Sequence, residues 1–179
     1  PCGTLFPYTT LFRSREAVRV ARSARTLVSF DVADPFVVQR YHESLREWIP
    51  GNVDLLFANG EELRALTLED GDDESVLRAA AEFAPTVVMK VGARGCMVIE
   101  DGMIVSAQPH PAERFDTTGA GDSFAAGFLF GLVQKLNTAL CAPVANIIAG
   151  GVFSVDGCNY DALDSERIVA ALQSVYAAP

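Results

Sequence analysis

A chain of 179 residues is long enough for one domain with a real core and too short for two comfortable ones. Half of its residues are hydrophobic, its formal net charge is −9 and it holds no basic block, which argues against disorder and against nucleic acid as a partner. Cys2, Cys96, Cys141 and Cys158 show no C-x-x-C spacing and only His42 and His110 could supplement them, so neither a zinc site nor a disulfide framework is indicated, and reduced thiols in a cytoplasmic protein are expected.

Residues 1–14 have neither a clean period nor a cap, and they resemble the translation of a sequencing-adaptor oligonucleotide. They are set aside as an irregular or artefactual segment, leaving residues 15–179 as the domain. Residues 15–25 are helical in composition, with Val18, Ala21 and Val20 as inward positions. A strand follows over residues 26–32. Asp34 before Pro35 then opens a helix over 36–49, with Val37, Tyr41, Leu45 and Trp48 on one face and Pro50-Gly51 as its stop. Residues 54–59 form a strand too apolar to have a wet face, which favours a central parallel position. Helices are predicted over 60–66 and 73–83, and a strand over 86–91. Gly92-Ala93-Arg94-Gly95 turns into a strand over 96–100, and Asp101-Gly102 makes a hairpin to residues 103–105.

A polar, glycine-rich run, Asp116-Thr117-Thr118-Gly119-Ala120-Gly121-Asp122, opens a long helix to about residue 134. Residues 138–155 carry no charge, but Pro143, Asn146, Gly150 and Gly151 interrupt them, so a buried helix is expected rather than a membrane span. A last helix runs over 164–176. The order of elements predicts a single α/β domain: an open, mostly parallel sheet flanked by helices, with right-handed crossovers and antiparallel strands on one edge.

The chemistry is expected beyond the carboxyl ends of the parallel strands. A glycine-rich turn opening a helix leaves backbone N–H groups without partners, and the helix dipole adds positive charge, which makes an anion site. Asp122 lies in that helix's first turn and could accept a proton; its plainer role is a cap. Asn59 with Glu62, and Gly92 with Gly95, fall at the same edge. Their plainer roles are a capping box and a tight turn.

The run from Phe115 to Phe124 resembles the signature of the PfkB, or ribokinase-like, family of sugar and nucleoside kinases. That resemblance implies a ribokinase-like fold and an ATP-dependent phosphotransfer to an alcohol group of a small-molecule sugar or nucleoside, with no membrane partner. It implies Asp122 as catalytic base and the amides of Gly119, Ala120 and Gly121 as the anion hole. Asn59-Gly60-Glu61-Glu62 matches the family's Asn-x-x-Glu motif, which organises Mg2+ through water, although Gly60 replaces an acidic residue more often seen there. Lys90-Val91-Gly92-Ala93-Arg94-Gly95 is similar to the Lys-x-Gly-x-x-Gly segment lining the nucleotide. Lys90 is either a phosphate contact or a strand-end lysine in solvent.

Thr117 belongs with the nucleotide contacts, and Asn146 and Gly157 fall where the family forms its adenine pocket. Asp116 and Thr118 either order a monovalent cation such as K+ or bond locally in the turn. The segment over 29–42 looks more like the adenosine-kinase-like branch than typical ribokinases. The resemblance covers only the later part of a family member. The first strands, the acceptor-binding residues and the lid through which the family often dimerises are expected to be missing. A catalytically incomplete nucleotide-binding fragment or interaction module is therefore the alternative to an active kinase. No G-x-G-x-x-G follows the first strand, so a dehydrogenase is not indicated.

Overall fold

The computed structural model describes residues 6–112, 116–157 and 159–177. Helix α1 (Phe6–Ser23) begins well ahead of residue 15, so the part of residues 1–14 that is described is helical rather than irregular. Val18 is buried and Ala21, one turn on, is half-buried, whereas Val20 points away and is exposed.

Strand β1 (Ser29–Asp31) leads to Asp34, whose carboxylate accepts from the Phe36 amide and caps helix α2 (Pro35–Trp48) with Pro35 in its first turn. The buried face of α2 carries Val38, Leu45 and Trp48. Val37, expected inward, is instead 41% exposed. Val38 lies two full turns before Leu45, and the chain leaves helical geometry at Tyr41 (φ −118°, ψ 23°), between Val37 and Leu45 of the expected stripe.

Strand β2 (Leu55–Asn59), helices α3 (Gly60–Thr67) and α4 (Asp73–Ala80), and strand β3 (Thr86–Lys90) follow within a residue or two of the predicted starts. Strands β4 (Cys96–Glu100) and β5 (Met103–Ala107) complete a sheet of order β1-β2-β3-β4-β5. Its β1–β2 and β2–β3 pairings are parallel, while β3–β4 and β4–β5 are antiparallel. The sheet is therefore mixed, with the expected antiparallel strands on one edge, because residues 91–95 and 101–102 are too short for crossovers and must reverse the chain. Asp101 (φ 50°) and Gly102 (φ 76°) both take the left-handed backbone that a two-residue hairpin turn requires.

The sheet divides two apolar layers. Leu56, Ala58, Val87 and Met89 pack with α1 to α4 on one face. Leu55, Phe57, Val88 and Val98 pack on the other against helices α5 (Ala120–Val133) and α6 (Thr138–Phe153). Phe57 meets Phe128 edge-on at 5.5 Å between ring centroids and Phe124 at 6.5 Å. Helix α7 (Ser165–Tyr176) packs on α6.

Most of α6 is buried, as its lack of charge predicts, and among the described residues no helix is long and apolar enough to cross a membrane. Cys96 and Cys141 are free and buried; desolvation pushes both thiols up to about 11, so they remain protonated near neutral pH. Cys2 and Cys158 lie outside the described residues.

Candidate active site

Strands β2 and β3 end level with one another, and β1 stops two residues short, with Asp31 opposite Phe57. Asn59 is the register partner of Lys90, and Asp31 closes β1 on the far side of β2. The Lys90 side chain reaches across the end of β2, and its Nζ donates to Asp31 Oδ2 at 2.8 Å. The two side chains are 19% and 26% exposed, so Lys90 is neither a free strand-end lysine in solvent nor one without a partner.

Asn59 closes a complete capping box on α3. Its Oδ1 accepts from the Glu62 amide at 2.9 Å, while Glu62 Oε2 accepts from the Asn59 amide and Oε1 from Asn59 Nδ2, each at 2.7 Å. A cap of this kind contributes about 1 kcal/mol. Glu62 is only 3% exposed. Burial pushes its carboxyl above the ordinary value, against the opposing pull of the Asn59 amide and the Lys90 ammonium; Asp31 and Asp34 act with burial.

The loop before α5 is fixed by its own side chains. Asp116 Oδ1 accepts from the Thr118 amide (3.0 Å) and hydroxyl (2.9 Å), and Oδ2 accepts from the Gly157 amide at 2.9 Å. These bonds hold the Asp116 carboxyl below its ordinary value. Those to Thr118 are turn bonds, while that from Gly157 joins two predicted positions across the end of α6. Thr117 takes part through its carbonyl, which accepts from the Ala120 amide at 3.2 Å.

Gly119 then adopts a left-handed backbone (φ 75°, ψ −2°) and caps α5 without a side chain. The first helical bond of α5 runs from the Ser123 amide to the Gly119 carbonyl. Among the described residues, the amides of Gly119, Gly121 and Asp122 have no acceptor, while that of Ala120 is engaged with Thr117. A Cβ on Gly121 would lie 3.8 Å from Lys90 Nζ, so the ammonium sits beside this helix start. Asp122 is exposed in the first turn of α5. Open N–H donors, a helix dipole and a half-buried ammonium meet here, an arrangement suited to binding an anion.

The remaining predicted positions serve the chain around this edge. Gly92 (φ 59°) starts a single turn of 3-10 helix, and Gly95 (φ 86°) ends it. A Cβ on Gly95 would fall 2.1 Å from the Ala107 carbonyl oxygen, so the β3–β4 turn packs backbone to backbone on the chain leaving β5. The Asn146 side chain donates to the carbonyls of Ala107 (3.1 Å) and Gln108 (2.9 Å), fixing the same stretch from α6. Its amide donors are thus spent on backbone. Arg94 is held by Asp73, which also accepts from Arg64 at 2.9 Å.

Sequence reasoning passed over Asp31, although a carboxylate closing an apolar strand at the ligand edge of a sheet was a usable signal. A cavity of about 600 Å3 lies at the opposite ends of the strands, lined by Leu27, Leu55, Leu129, Leu132 and Val133. Its lining is mainly apolar, with Asp54, Thr86, Glu100 and Thr138 among it but no lysine or arginine, so its size does not make it the better site for an anion. Among the described residues no group of three or more His, Cys, Asp or Glu side chains is arranged to hold a metal. Asn59 and Glu62 are oxygen donors of the kind a hard cation takes through its water shell, and in the structure all three of their side-chain oxygens accept the capping-box bonds.

A family model described as pfkB family carbohydrate kinase matches residues 11–165, beginning inside the segment expected to lie outside the domain. The chain is 32% identical over 127 residues to an uncharacterized sugar kinase of Archaeoglobus fulgidus, covering 68% of this chain and 48% of that one. It is 29% identical to a nucleoside kinase of Methanothermobacter thermautotrophicus, covering 83% and 47%. The solved adenosine kinase from Sinorhizobium meliloti superposes with a TM-score of 0.81 at 30% identity, over 90% of this chain and 49% of that chain. The chain therefore spans about half the length of the relatives it matches.

Proposed function

Since the chain belongs to the pfkB family of carbohydrate kinases, we propose that it transfers the γ-phosphoryl group of ATP to an alcohol of a sugar or nucleoside. The observation that carries this reading is the start of α5, where open amides adjoin the Lys90 ammonium and Asp122 stands exposed in the same helical turn. Asp122 takes the proton of the acceptor hydroxyl as its oxygen bonds to the γ-phosphorus and the bond to the β-phosphate oxygen breaks. The amides at residues 119–121, with that of Asp122, stabilise the charge on the transferring group. Ala120 contributes by turning its amide from the Thr117 carbonyl, which it meets at 3.2 Å.

Mg2+, when bound with the nucleotide, neutralises phosphate charge. Asn59 and Glu62 are the residues that would hold it, through water. Gly92 and Gly95 shape the nucleotide side of the edge and Thr117 lies in the loop beside it, while Asn146 and Gly157 position the adenine side by fixing residues 107–108 and the Asp116 loop.

The test is transfer of label from γ-labelled ATP to adenosine, ribose and fructose, with Mg2+ and with EDTA. Mg2+-dependent labelling of at least one acceptor is expected. MgATP binding with no labelled acceptor would instead make the chain a nucleotide-binding module.

A further inference from the structure

We propose that Asp31 is a positioning residue for Lys90, fixing where positive charge meets phosphate at the start of α5; this rests on the kinase reading above. A lysine ammonium rides on a flexible four-carbon stem, so its location is set by whatever partner it finds. Lys90 finds Asp31 at 2.8 Å, across the end of the strand that separates them. The pair is only 19% and 26% exposed and is therefore less screened than a surface ion pair.

Glu62 is the competing anion. Its carboxylate feels the charge of Lys90, together with those of Asp31 and Asp34. With Asp31 present, the ammonium stays beside Gly121, 3.8 Å from where a Cβ would stand. Without it, Glu62 draws the ammonium toward α3 and away from the open amides.

Asp31 thus acts on a bound phosphate in two opposed ways. It places Lys90, which favours binding, and it carries a negative charge of its own, which opposes it. The two effects separate in a double-mutant cycle read by calorimetric titration with MgATP. Asp31→Asn in the parent chain is expected to weaken MgATP about threefold or more, because placement is lost. In a Lys90→Met background the same substitution is expected to tighten MgATP about twofold or more, because only repulsion remains to be relieved. A merely structural Asp31 would weaken binding in both backgrounds, and a merely electrostatic one would strengthen it in both.

The same sign in both, or no change in either, overturns the inference while leaving the kinase reading intact. A parent chain that binds no MgATP overturns the reading and the inference together. Circular dichroism melts identify any variant that does not fold, and Lys90→Gln then replaces Lys90→Met.

Discussion

Asp122→Asn is expected to slow phosphoryl transfer by about 10²–10⁴-fold while leaving MgATP affinity within about twofold of the parent. Asparagine keeps the size and the helical position of the side chain but cannot take a proton near neutral pH. The substitution is also clean structurally. Asp122 is exposed and, among the described residues, its carboxylate makes no hydrogen bond, so nothing is left unpaired when it is replaced. The loss of a negative charge in the first turn of α5 costs no more than about 1 kcal/mol of helix stability. A pre-steady-state measurement of labelled product separates the chemical step from nucleotide binding. Equal rates for the two proteins would remove Asp122 from the mechanism and leave it a helix-terminus residue.

Gly95→Ala is expected to destabilise the fold by about 3 kcal/mol or more, or to prevent folding altogether. Two costs coincide there. The backbone sits at φ 86°, ψ −123°, a region that side-chain-bearing residues avoid. The new Cβ would also stand 2.1 Å from the Ala107 oxygen and 2.8 Å from Pro109 N, both backbone atoms. Neither can withdraw easily, since Ala107 is the ladder partner of Cys96 and its carbonyl is also held by Asn146. Gly92→Ala is the control. It has a similar positive φ of 59°, but its Cβ would meet nothing within 4 Å, so it carries only the backbone cost of about 1–2 kcal/mol. Urea denaturation of the two variants is expected to separate them; equal losses would show that φ alone, and not the close approach to β5, requires glycine at 95.

Much of the architecture was legible because it is written in local pattern. β2 and β3 are apolar without alternation, and both prove buried on two faces. Asp101-Gly102 specifies its hairpin through backbone conformations that few other pairs tolerate. Asn59 and Glu62 are three residues apart, and the box they form needs nothing beyond that spacing. Helix phase was less secure. Val37 and Val38 both fall within one turn of Tyr41, and only the packing of α2 on α3 selects Val38.

What the sequence did not disclose depends on partners distant in the chain. Lys90 and Asp31 are 59 residues apart, and their pairing exists only because β1 and β3 flank β2. Asn146 could be placed near the nucleotide by family likeness, but its contact with the end of β5 appears only once α6 is packed against the sheet. The engagement of the Ala120 amide is a matter of turn geometry at Thr117, which a glycine-rich string does not determine.

The proposed reaction depends on phosphate being held at the start of α5. Titration of the isotopically labelled chain with MgATP, followed through its backbone amide resonances, tests it most directly. The largest shifts are expected at Gly119, Gly121 and Asp122, with Lys90 and Asp31 moving together. Largest shifts around Leu27, Leu129 and Val133, at the cavity beyond the opposite strand ends, would contradict it.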